Sequence, residues 1–442
     1  PVYIFDERVF KGKTKYGFPK TGAHRAKFII ESVKNLKASL KALNSDLLVR
    51  VGKPEEILFK LANQAKSSWI FCNRERTPQE VAVQDGLEQK LWTIGQELRY
   101  SRGKMLYYTA DLPFPVTHTP DTFSQFRKEV ERYIEIRKPL PRPAKSFNPL
   151  TVALDYGKIP SLQDFELEEI EKDERAVINH IGGESVALDR LNEYVWNTEA
   201  IKNHKDSRSN IQGVNSSSKF SAWLAQGCLS PKMIYHEIKK FEAQYGAKKS
   251  VYSLFYDLMM RDFYRLMAKK HGGIIFEEGG VQRNDANNGN EDMELFQRWM
   301  DGKTGVPFID ANMRELKHTG YISSTGRQNV ASFLIKDLKL NWRLGADYFE
   351  SILIDYDAAS NYGNWNDLAG VGSDPKANRY VNVLAQAKRY DPEGSYVKNW
   401  IPELKSIPAS KIHQPNQLTG SEQKDFRFNI GDDYPLAIVD LD

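Results

Sequence analysis

"ADYFESILIDYDAASNYGNWN", residues 346–366, carries apolar residues at three- and four-residue spacing and then breaks into acids, asparagines and rings. The spacing predicts an amphipathic helix that begins near Gly345 and ends in Asp355 and Asp357. The run that follows, Asn361 to Asn366, reads as an aromatic turn that stops the helix. A buried carboxylate there needs a cation or several donors, because an unpaired buried charge is strongly unfavourable. Arg327, in the preceding "GRQNVASF", is the available partner for Asp355; two solvated helix-end acids are the alternative.

Helical periodicity extends on both sides of this stretch. "SVALDRLNEYVW", "MIYHEIKKFEAQY", "VYSLFYDLMMRDFYRLMAKKH", "EDMELFQRWMDG" and "RQNVASFLIKDL" repeat the same spacing, so residues 184–442 are expected to form an all-α domain. Residues 1–110 alternate short apolar runs ("VYIF", "DLLVRVG", "SWIFCN") with helical patterns, which argues a Rossmann-like α/β domain with a parallel sheet and crossover helices. An antiparallel α+β layer is the weaker alternative. Pro54, followed by two acids, marks a helix start. Residues 111–183 are rich in prolines and charges and are expected to connect the two domains. The tract "QRNDANNGNED", 282–292, reads as an exposed loop.

The composition bounds the function. With 442 residues the chain has room for two cores and a large cofactor between them. No apolar run approaches the roughly 20 residues of a membrane span. A formal charge of +4 permits a polyanionic partner without requiring one. Cys72 and Cys228 supply neither a disulfide framework nor a metal site, and a four-thiolate cluster is excluded. The chain opens on Pro1 rather than Met, so it is expected to begin late, which leaves the compartment open between the cytoplasm and an organelle such as a mitochondrion or plastid.

In "GVNSSSKFSAWLAQGCLSPKMIYHEI", a hydroxyl-rich turn opens one helix and Ser230-Pro231 opens the next. Serines and Lys219 beside helix-start amides suit a phosphate cradle; two ordinary capped helices are the plain alternative.

"GKTGVPFIDANMREL", "GRQNVASFLIKDLKLNWRLGADYFESILIDYD", "NYGNWN" and "RYDPEGSYVKNWIPEL" together resemble the flavin-binding domain of the photolyase and cryptochrome family, in its DASH branch. "GAHRAKFIIESVKNLKASLKALNSDLLVRVGKPEEIL" and "PDTFSQFRKEVE" are similar to that branch's N-terminal domain. The resemblance implies a photolyase-like fold, in which an α/β antenna domain and a linker precede an all-helical domain holding FAD. It assigns Asn361 to the flavin N5, Asp355 and Asp357 to the isoalloxazine and ribityl groups, and Arg327 to Asp355. His204, Arg208, Ser217, Ser218, Lys219 and Ser221 fall in the segment that wraps the phosphates, and Trp365 and Trp342 match the first two tryptophans of an electron-hopping chain. No metal is implied.

Departures from the family pattern cluster at the substrate side. "DLMMRD" places Asp257 and Met260, ahead of Arg261, where the family has a glutamate and a tryptophan that meet the lesion. Ser324 and Thr325 replace an asparagine and an arginine beside Arg327 and Gln328, and Asp367 puts an acid at the cavity mouth. His204 and Ser216 stand where tyrosines are usual, and no third tryptophan stands near Gly289. Glu75 matches an acid that holds a methenyltetrahydrofolate antenna, and the family's first strand is absent. The resemblance therefore implies an FAD-dependent blue-light photoreceptor or photolyase for pyrimidine dimers in single-stranded DNA, with repair weakened or lost. The competing expectation is a non-catalytic photolyase-fold protein acting as a structural or binding subunit of a larger assembly; the expected partners are single-stranded DNA or RNA, or other proteins.

Overall fold

The computed structural model describes residues 1–143, 152–284, 289–374, 376 and 378–441; part of the 282–292 tract lies outside them. In the N-terminal part, β1 (Val2–Phe5) pairs in parallel with β2 (Leu48–Val51), and β3 (Trp69–Asn73) pairs in parallel with β4 (Glu97–Ser101). Among the described residues the strands form two two-stranded sheets rather than one continuous sheet. The crossovers are α1 (Ala23–Ala42), α2 (Pro54–Ala65) and α3 (Pro78–Trp92), with Pro54 at the start of its helix as the sequence requires. Strand β4, "ELRYS", carries only two apolar residues between charges, so its pattern does not announce a strand.

The connecting region is not wholly irregular, because α4 (Phe123–Tyr133) buries Phe123, Phe126 and Val130. Beyond it come α5 (Glu184–Asn192), which continues into a π-helical turn at Glu193–Asn197, α6 (His204–Ser207), α7 (Ser221–Gln226), α8 (Pro231–Tyr245) and α9 (Lys249–His271). The site also uses α10 (Pro307–Thr319), α11 (Ser324–Ser332), α12 (Trp342–Ile352) and α13 (Ala358–Ala369). Ser230 caps α8 by accepting from the Lys232 amide at 3.3 Å, as its position before Pro231 predicts. No helix among the described residues is long and apolar enough to cross a membrane.

The stretch around residue 360 differs from its sequence pattern. Helix α12 starts at Trp342 and ends at Ile352, before either acid. Asp357 does not close that helix; it caps α13, accepting from the Ser360 amide and hydroxyl at 3.0 Å each. Asn361 to Asn366 then lie within α13, which ends at Gly370 with φ +77°. Composition suggested a turn, but one side of this helix is fully packed: Asn361, Tyr362, Trp365, Asn366 and Ala369 are all buried. Tertiary burial of such a face outweighs the weak helix propensity of asparagine and glycine. Gly363 serves contact rather than a turn, because a Cβ there would stand 2.3 Å from Cδ1 of Tyr264 on α9.

Candidate functional site

Two walls of buried charge face the middle of the helical region. The first is built by Arg190, on the buried side of α5. Its guanidinium donates to the carbonyls of Val214 (2.9 Å), Ser217 (3.2 Å) and Ser218 (3.1 Å) and to Asn215 Oδ1 (2.8 Å). Ser207 Oγ donates to the Ser216 carbonyl at 2.7 Å. With these carbonyls held from behind, the planar trans peptides turn their N–H groups the other way. Among the described residues, the amides of Ser217, Ser218 and Lys219 meet no acceptor. Lys219 sits at φ +60°, 3 % exposed, with its ammonium 5.5 Å from the Tyr321 ring centroid. It has no ion pair among the described residues. Burial pulls its pKa down to about 8; Glu315 opposes the shift, and Arg190 and Arg327 add to it. Ser221 opens α7 beside it.

The second wall satisfies itself. Arg327 Nη2 donates to both oxygens of Asp355 at 2.8 and 3.0 Å, and its Nε donates to the Ile322 carbonyl at 3.1 Å. Arg265 pairs with Asp357. Burial works to raise Asp357, but Arg265, Arg261 and the Ser360 donors hold it at about 2. Asn361 spends one amide hydrogen on the Ala346 carbonyl at 3.0 Å, which fixes the plane of its side chain. Trp365 lies against Gly345, where a Cβ would stand 2.2 Å from the indole, and its ring centroid is 5.2 Å from that of Phe349. Trp342 is buried, donates from Nε1 to the Glu278 carbonyl at 3.0 Å and meets the Tyr362 ring at 6.2 Å.

The substrate-side candidates lie along α9 and α11. Met260 is half-buried, and Arg261 is committed to the carbonyls of Lys104 (2.8 Å) and Leu224 (3.1 Å). Gln328 and Ser324 are exposed, whereas Thr325 is buried and donates to the Ser209 carbonyl at 2.7 Å. Asp367 does not stand free at a mouth: it accepts from the Tyr264 hydroxyl at 2.9 Å, and burial pushes it up to about 6. His204 is held by Tyr194 and Asp257, and Arg208 pairs with Asp257. Glu75, far along the chain, pairs with Lys104.

Sequence patterns did not mark Arg190, Arg265 or Tyr321. The usable signal for the arginines was a cation placed among the buried, apolar positions of a helix, as in "VALDRL" and "DFYRLM".

The donor set suits an elongated, doubly charged anion joined to a planar ring. Three amides and a buried lysine that have no acceptor or ion pair among the described residues could receive a diphosphate, and a fixed carboxamide beside two closed ion pairs could pair with a heterocycle edge. The model for the FAD binding domain of DNA photolyase matches residues 254–442, and the DNA photolyase model matches residues 1–144. A cryptochrome DASH of Gloeobacter violaceus is 46% identical over 440 residues, covering 100% of this chain and 87% of the relative. A Synechocystis cryptochrome of known structure is 42% identical, covers 99% of this chain and 90% of its own, and superposes with a TM-score of 0.95. A class III photolyase of Agrobacterium tumefaciens is 28% identical, covers 100% of this chain and 88% of its own, and has a TM-score of 0.84.

Proposed function

This chain belongs to the photolyase and cryptochrome family, in its cryptochrome DASH branch, and we propose that it is a blue-light flavoprotein acting on single-stranded nucleic acid with reduced lesion recognition. The observation that carries the cofactor side is Lys219, buried with no ion pair among the described residues, beside three amides that meet no acceptor there. FAD is the family's cofactor, and when bound it supplies blue-light absorption and one-electron transfer.

The chain's own residues do the holding. Ser217, Ser218, Lys219 and Ser221 take the phosphates, the Arg327–Asp355 and Arg265–Asp357 pairs set the charge around the ring, and Asn361 meets its polar edge. Asn361 suits either protonation state of that edge, since a carboxamide both donates and accepts. Trp365 and Trp342, both buried indoles, would serve as the electron donors.

The reduced lesion recognition rests on α9, where Met260 offers no flat π-face and base stacking is worth about 1–3 kcal/mol per base. A methenyltetrahydrofolate antenna at Glu75 is the weakest part, because that carboxylate is already paired with Lys104. Purified protein should show flavin bands and bleach under blue light with a reductant. A thymine-dimer oligonucleotide assay then separates repair from binding: a colourless protein, even after reconstitution, sinks the cofactor reading. A flavin-loaded protein that binds the oligonucleotide without splitting the dimer favours the non-catalytic module.

A further inference from the structure

Asp257 and His204 come from distant points in the sequence and meet in one hydrogen-bond chain. His204 is 1 % exposed, and both its ring nitrogens are engaged: Nδ1 by the Tyr194 hydroxyl at 2.7 Å and Nε2 by Asp257 Oδ2 at 3.0 Å. The other Asp257 oxygen accepts from Arg208, which follows α6 just as His204 begins it. One carboxylate on α9 therefore grips both ends of α6. Tyr194 extends the chain: the Arg190 guanidinium lies 5.2 Å from its ring centroid, and its ring meets Phe220 edge-on at 5.8 Å. Arg190 is the group that holds three carbonyls of the 214–218 loop, while Ser207, inside α6, holds the fourth.

We propose that Asp257 is a positioning residue of the 214–219 loop, acting through His204, Tyr194, Arg190 and Ser207, and that it does not serve as a substrate ligand. The proposal rests on the reading of that loop as the FAD phosphate site. Its physical basis is that the free amides of Ser217, Ser218 and Lys219 are aimed only while the carbonyls behind them are held. Each oxygen of this carboxylate is also already committed to a donor at one end of α6.

The test compares Asp257→Asn, His204→Phe and, as a control at an exposed position on the same helix, Lys269→Ala. The measurements are FAD dissociation rate, hydrogen exchange of residues 207–219 and affinity for a single-stranded oligothymidylate, on full chains whose thermal unfolding shows them folded. Asp257→Asn and His204→Phe are expected to speed FAD release at least tenfold and raise exchange across 213–219, with the control within twofold of wild type. His204→Gln, which keeps an N–H toward Asp257, should recover part of the protection. Unchanged release and exchange in both variants overturn the proposal, as does an Asp257→Asn protein that loses oligothymidylate affinity alone. If the wild-type chain takes up no FAD, the cofactor reading falls, and exchange of 213–219 in the apoprotein still decides the positioning role.

Discussion

The two walls of the site carry similar residues and opposite balances. Beside Asn361, each buried acid has its arginine, and the pairs close without help from outside. Beside Ser217 and Ser218, among the described residues, the cation Lys219 has no ion pair and the amides have no acceptor. On the proposed reading, the wall that would meet the ring is preformed, whereas the wall that would meet the phosphates is complete only with an anion in it. Preformed charge fixes shape, and unsatisfied charge supplies differential affinity for a ligand.

The largest break in this comparison comes from opening a closed pair. Asp355→Ala leaves the half-buried Arg327 without its anion and should cost about 3 kcal/mol of stability, read as a lowered denaturation midpoint in apo and loaded protein alike. The packing beneath the ring wall comes next. Gly363→Ala drives a methyl into Tyr264 and should cost about 1–3 kcal/mol, again in both states.

Lys219→Met separates the walls by sign. It should stabilise the apoprotein, because it removes an uncompensated buried charge, while weakening FAD by about tenfold or more, roughly 1.4 kcal/mol. A loss of stability in the apo state would mean that the lysine already has its counter-ion.

The same residue predicts a pH dependence. Its folded pKa is depressed to about 8 from the ordinary 10.5, so the unfolded chain binds more protons between those values. Apo stability should rise as pH climbs through that window, and be lowest below 8. FAD affinity should fall over the same window, because the anion meets a neutral amine. Titration of both quantities checks this, and Lys219→Met should flatten both. The smallest effect is expected outside both walls: Gln328→Ala, on an exposed position, should change stability by less than about 0.5 kcal/mol.

Much of the site was legible because chemistry and spacing coincide. Arg327 and Asp355 were paired on the ground that a buried acid needs a cation, and they make a two-oxygen contact. What failed was the reading of Asn361 to Asn366 as a turn, since asparagine and glycine are poor helix formers wherever a face is not packed. The Asp367 charge was likewise misplaced, because nothing local reveals that Tyr264, 103 residues earlier, covers it.

By itself the sequence determined an α/β start, a helical remainder and the identities of the charged and aromatic groups, because periodicity and residue chemistry are local properties. Only the tertiary structure decided which charges are balanced. It joined Asp257 to His204, set Arg190 behind the 214–218 loop and left Lys219 with no ion pair among the described residues, since pairing depends on what residues far apart in the chain bring within hydrogen-bond reach.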